Sequence, residues 1–176
     1  MTMDLSADDL RQPTTHESLG TAMEIYLRDR VHAAAAGSAI PMPRHLQFKL
    51  YQCLGDGRSA EALCEDLLDL AAEPRTGAGL VAVFECAPDS DPAGDIDQPS
   101  FATLLAQHLT LLRHQDHRVD TAAALQSPDE ERLTLTIHGQ RFRLIVMHAD
   151  AERLARVMPC PVLAFLPIES TTLTKH

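Results

Sequence analysis

The stretch RLTLTIHGQRFRLIVMHADAERLARVMPCPVLAFLPIES, Arg132 to Ser170, carries the clearest structural instruction in the chain. Two alternating runs, Arg132–His138 and Arg141–His148, flank Gly139-Gln140, a two-residue connection suited to a type II′ hairpin turn. Pairing across it sets Ile137 opposite Phe142, Leu135 opposite Leu144 and Leu133 opposite Val146. Side chains alternate along a strand, so these six share one face, while Thr134, Thr136, His138, Arg141 and Arg143 fall on the other. Extending the alternation turns His148 toward the apolar face, roughly opposite Glu131. A carboxylate there could orient one imidazole nitrogen and leave the other open for chemistry or a metal. A short helix at about Asp150–Val157 and a last apolar strand, Pro161–Leu166, complete the segment.

Working outward, Phe101, Leu104, Leu105, His108, Leu109 and Leu112 recur at helical spacing and predict a helix over Ser100–His114, with His108 inside the apolar stripe. Residues 115–130 read as a polar connection. Before the helix lies APDSDPAGDIDQP, whose aspartates suggest calcium. However, the twelfth position counted from Asp89 is Ser100 where an EF-hand needs glutamate, and Pro92 interrupts the loop, so it reads as solvated. Gly79–Cys86 is a nearly unbroken apolar run, the mark of a strand covered on both faces. Further upstream, Ser59 can cap a helix that turns Leu63, Leu67 and Leu70 inward and Glu61, Glu65 and Asp69 outward. A strand is expected at about His45–Cys53. A first helix is expected over Glu17–Ala35, with Leu19, Met23, Tyr26, Leu27 and Val31 as its stripe. These elements define an α+β fold. The expected architecture is a single domain over residues 17–172, after a loose lead-in at 1–16, with a mixed, largely antiparallel five-stranded sheet and helices packed mainly on one face.

The chain has 176 residues, enough for one substantial core, and a net charge of −10 that disfavours nucleic acid or an anionic membrane as partner. Lys49 and Lys175 are the only lysines among 15 basic residues. The N-terminus lacks a basic start followed by an apolar run, and no segment approaches the ~20 apolar residues that span a bilayer, so a cytoplasmic location is expected. Cys53, Cys64, Cys86 and Cys160 are scattered without the short spacings of a zinc site and read as reduced, largely buried thiols.

No phosphate-binding glycine loop and no nucleophile elbow is present. His114-x-x-His117 with Asp116 has a spacing found in metal sites, but its charged surroundings suit a solvated surface. His108 and His148 stand out because the pattern buries them. Each reads either as a core histidine satisfied by a hydrogen bond or, since imidazole binds iron well, as a ligand. Arg153 and Arg156, three apart after His148, suit either a solvated helix face or the holding of carboxylates.

The ending FRLIVMHADAERLARVMPCPVLAFLPIES resembles the C-terminal signature of the YqcI/YcgG family. His148, Arg153, Arg156, Pro159, Pro161, Phe165 and Pro167 fall where that pattern expects them, and HLQFKLY, GLVAVFE and LLRHQD look like its upstream sections. Two positions depart. His32-Ala33-Ala34 stands where the family carries Phe-Pro-Cys, and Ile168 replaces a histidine after the last strand. The family includes haem-dependent enzymes that N-hydroxylate guanidino groups. The resemblance therefore implies haem b, O2, an external electron donor and a guanidino or amino-acid-like small-molecule substrate. A homodimer is compatible with the sequence. It implies His148 as iron ligand, His108 as a second wall or distal catalytic group, and Arg153 and Arg156 as cofactor carboxylate partners. The alternative is a haem-free relative that binds a small molecule or another protein.

Overall fold

The alternation of Leu133–Val146 is realised as the hairpin it foretells. In chain order the elements are α1 (Thr21–Gly37), β1 (Leu46–Tyr51), α2 (Gly57–Ala72), β2 (Gly79–Phe84), α3 (Phe101–Gln115), β3 (Val119–Asp120), α4 (Ala122–Gln126), β4 (Leu133–Ile137), β5 (Gln140–Met147), a 3-10 turn at Leu154–Arg156, and β6 (Val162–Pro167). The computed structural model describes residues 20–72, 77–85, 100–127, 129, 132–149, 151 and 153–168. The expected lead-in at 1–16, the acidic loop at 87–99, Cys86 and Glu131 lie outside these.

The hairpin register differs from the expectation by two residues. Leu133 pairs with Leu144, Leu135 with Phe142 and Ile137 with Gln140, so the turn is His138-Gly139. Both turn residues have positive φ, 49° and 80°, which makes a type I′ turn where a type II′ turn was expected. Because side-chain direction repeats every two residues, a shift of two leaves each residue on its expected face. Leu133, Leu135, Ile137, Phe142, Leu144 and Val146 all enter one core.

Among the described residues the sheet has six strands in the order β1-β2-β6-β5-β4-β3, where five were expected. The additional strand, β3, is only two residues long and lies in the stretch read as a polar connection, beside the short helix α4. β1 and β2 are parallel and joined through α2; β6 lies between β2 and β5, antiparallel to both. Every residue of β2 is buried, as its unbroken apolar run requires, since both sheet faces are covered. Helices α2, α3 and α4 cover the face formed by Leu80, Phe84, Leu144 and Phe165. α1 lies on the other face, placing Leu27, Val31, Ala34 and Ala35 against Val81, Ile145 and Ala164.

Several local expectations shift. α1 begins at Thr21 and its buried stripe excludes Met23 and Tyr26, each 48% exposed. Asp56 in place of Ser59 accepts at the start of α2, taking the Ser59 N–H at 3.3 Å, while Ser59 Oγ accepts from the Cys53 N–H. Ser100 caps α3 through Oγ and the Thr103 N–H. Among the described residues, the helix expected at Asp150–Val157 appears as the 3-10 turn at Leu154–Arg156, with Arg153 and Val157 extended on either side of it. No helix among the described residues is long and apolar enough to cross a membrane.

His138 occupies a left-handed conformation that asparagine tolerates better. Replacing His138 by Asn is therefore expected to stabilise the fold by about 0.5 kcal/mol, read as a higher urea midpoint at unchanged slope.

Candidate functional site

The strand directions bring the residues after β1, β2 and β5 to one end of the sheet, the carboxyl end of its parallel strands, where open α/β sheets commonly bind ligands. α3 crosses this end. Its first residue, Phe101, lies flat on the His148 ring at the end of β5, with centroids 4.0 Å apart and planes 9° apart. Two turns later His108 meets Phe84, the last residue of β2, edge to face at 5.0 Å. Its Nδ1 accepts the Gly55 N–H at 2.9 Å, and Gln107 Nε2 donates to the Gly55 carbonyl at 2.9 Å. Gly55 has φ +89°, which strains any other residue, and a Cβ there would press on Leu104 Cδ2 at 3.2 Å, so glycine suits this close approach of α3.

His108 is fully buried, and burial pushes its pKa down to about 4. With Nδ1 accepting, the proton resides on Nε2, which is buried with no partner among the described residues. His148 is 8% exposed, and its backbone bridges to the 3-10 turn: its N–H donates to the Arg156 carbonyl, and its carbonyl accepts from Met158 N–H, both at 3.1 Å. The inward histidine read from the alternation thus sits at the rim of the core, with one ring face covered by Phe101.

The two arginines diverge. Arg153 is exposed, whereas Arg156 is 4% exposed and its Nη2 donates to Ser38 Oγ at 2.9 Å, just past α1. In the opposite direction, Arg30 on α1 donates to the Leu154 and Val157 carbonyls at 3.0 and 2.7 Å. Two guanidiniums therefore fasten the 3-10 turn to α1. His108 and His148 are also brought to different strand ends, with Phe101 and His108 a rise of about 10 Å apart along α3. His32, at the departure from the family's Phe-Pro-Cys, is exposed on α1.

At the His114-x-x-His117 pair, read from the sequence as solvated surface, His117 is 94% exposed and Asp116 is committed to Arg118, which donates through its N–H, Nε and Nη2 at 2.9, 3.0 and 2.7 Å. Those hydrogen bonds hold the Asp116 carboxyl well below its usual range. Among the described residues, no group of three or more His, Cys, Asp or Glu side chains is arranged to hold a metal. Cys64 is buried, and burial pushes its thiol up to about 11; Cys53 and Cys160 are half-buried.

One polar cluster was not anticipated. Asp66 on α2 is 7% exposed, accepts from Lys49 Nζ at 2.8 Å and from the Tyr51 hydroxyl at 2.5 Å. Burial, then the bond to Asp66, pushes the Tyr51 phenol far above its ordinary range. The signal was present in the sequence: position 66 lies between Leu63 and Leu70 on the inward face of α2, where a carboxylate demands partners.

The arrangement defines a six-stranded α+β domain whose helix α3 closes the carboxyl end of its parallel strands over a stacked imidazole. The chain belongs to the YqcI/YcgG family, which it matches over residues 23–172. No curated protein and no solved structure matches it.

A prediction follows from His108. The folded state refuses a proton that the unfolded chain accepts below its ordinary pKa of 6.5. Stability is therefore full above that pH and declines as pH falls from 6.5 toward about 4. The loss is on the order of 2 kcal/mol by about pH 5. Urea midpoints at about pH 7 and about pH 5 should differ markedly in the parent protein and much less in His108→Leu.

Proposed function

We propose that this protein is a haem-dependent, O2-using N-hydroxylase-like member of its family. It would act on a guanidino or amino-acid-like small molecule with electrons from an external donor. The observation that supports this reading is the His148 imidazole, withdrawn from solvent and stacked on Phe101 at the carboxyl end of the sheet. An imidazole fixed by packing is a nitrogen donor of the kind that would hold a haem iron, so the donor chemistry fits the group that the family resemblance implies. When bound, haem would supply O2 binding and electron transfer.

The chain's own part is positioning. Phe101 fixes the plane of the His148 ring, and the bridge to Arg156 and Met158 fixes its backbone. His108 holds Gly55 after β1 and so sets the shape of that end of the sheet. In this reading Arg153, exposed at the start of the 3-10 turn, would pair with a carboxylate of cofactor or substrate. Arg156 contributes through its bond to Ser38, which keeps the turn after His148 in place.

A second reading, a haem-free small-molecule-binding relative, is favoured by that same bond, since it commits Arg156 to Ser38 where a propionate partner was expected. Titration of the purified protein with haemin separates the two. The haem reading expects a sharp, saturable Soret band that weakens or shifts in His148→Ala, with folding checked by circular dichroism. Loosely adsorbed haemin with a spectrum indifferent to that substitution overturns it.

A further inference from the structure

We propose that the outward face of α1 is the contact through which two copies of this chain form a two-fold dimer. Among the described residues, the exposed large apolar side chains all gather here: Met23, Ile25 and Tyr26 on α1, and Leu154 on the 3-10 turn. Leu154 is 82% exposed and is held beside the helix by Arg30, which donates to its carbonyl at 3.0 Å. Single apolar residues scattered over a surface need no account, whereas a cluster of them marks a contact.

α1 is apolar around most of its circumference. Each residue of a helix turns by about 100°, so Leu27, Val31, Ala34 and Ala35 form one face, buried against the sheet. Ala22, Tyr26, Asp29 and Ala33 fall within about 60° of one another on roughly the opposite side, and all four are exposed. Ile25 and Ala36, exposed as well, flank them. α2 shows a solvated face in the same chain, with Glu61, Glu65 and Asp69 at its exposed positions. A helix that is apolar on both sides calls for cover on both.

A second copy is the occupant that this stripe fits. Its spacing of four, three and four residues is that of a helix-pair seam. A two-fold axis crossing α1 between positions 27 and 28 sets Ala22 against Ala33 of the partner subunit and Tyr26 against Asp29 of the partner subunit. Alanine on alanine lets the helix axes approach to about 8 Å. Asp29, the one charge in the stripe, would be stranded on an apolar partner of another kind. Here it accepts from the phenol of Tyr26 of the partner subunit, and symmetry makes the bond twice. Within the stripe no like charges meet.

The area sets the strength. Ala22 to Ala36 spans about 21 Å, and with Met23, Ile25 and Leu154 at its sides the contact removes on the order of 1,000 Å² from water in total. That is the low end for a specific interface, so the dimer is reversible, with a dissociation constant in the micromolar range. Each copy carries a net charge of −10, and salt that screens their repulsion should tighten the pair. His148 takes no part in this face, so the inference does not rest on haem binding.

Sedimentation equilibrium of the full chain between about 1 and about 100 µM tests it, and the mean mass should rise from monomer toward dimer. Ala33→Arg sets a long charged side chain against Ala22 of the partner subunit. It should raise the dissociation constant by about tenfold or more and leave the melting curve unchanged, because position 33 is exposed in the single chain. Disulfide trapping reads the register. Ala22→Cys protein mixed with Ala33→Cys protein should cross-link under mild oxidation, and either alone no more than the parent. The Cα atoms of a disulfide lie about 6 Å apart, whereas position 22 and its own copy would be about 16 Å apart. A monomer at every concentration overturns the proposal in favour of another occupant, such as residues 1–19 of the same chain. A dimer indifferent to Ala33→Arg, or one in which Ala22→Cys cross-links with itself, overturns it too.

Discussion

β6 is bonded along both edges and covered on both faces, and the sheet exists as one body only because of it. Val81, Ala82 and Val83 pair with it on one side, and Leu144 through Met147 on the other. Without it, the parallel pair β1-β2 and the antiparallel set β5-β4-β3 share no hydrogen bonds. A strand so placed needs apolar side chains in both directions, and Val162 through Leu166 provide them: Leu163 and Phe165 enter one core, while Val162, Ala164 and Leu166 enter the other. Everything at the carboxyl end is placed relative to it, since the Phe84 N–H bonds to the Pro161 carbonyl and Met147 pairs with Val162.

What was legible in the sequence was whatever periodicity controls. The faces of β4 and β5, the inward residues of α2, the His108 stripe of α3 and the doubly buried β2 follow from alternation and helical spacing. The hairpin's register was not legible, because it depends on whether His138 accepts positive φ, a cost of about 1 kcal/mol that nothing in a two-residue pattern reveals. The two residues of β3 are too few to carry a period, and their pairing with Ile137 and Thr136 is a tertiary event. Arg153 and Arg156 looked alike by spacing. Only the contact with Ser38, 118 residues away, separates a buried clamp from an exposed side chain.

The candidate site shows the same division. Alternation turned His148 inward, but the partner that fixes its ring, Phe101, comes from a different element, α3. The stack required knowing that α3 crosses the strand ends. The grip of His108 and Gln107 on the two backbone groups of Gly55 explains that crossing: it spends polar groups of α3 on the loop after β1, and the helix is anchored over β1, β2 and β5 at once. Buried polar groups here serve geometry before chemistry.

The margins of the sheet carry a colloidal consequence. An open sheet offers unpaired peptide groups along its outer strands, a template on which another chain can extend it. One margin, β3, is two residues long and too short to recruit a partner strand. The other, β1, is six residues long, but Lys49 sits within it with its ammonium tethered to Asp66, and Gln47 beside it is exposed. Adding a strand there would crowd a charge that cannot swing away. The Lys49–Asp66 ion pair thus places a charge within the longer margin and discourages edge-to-edge growth there.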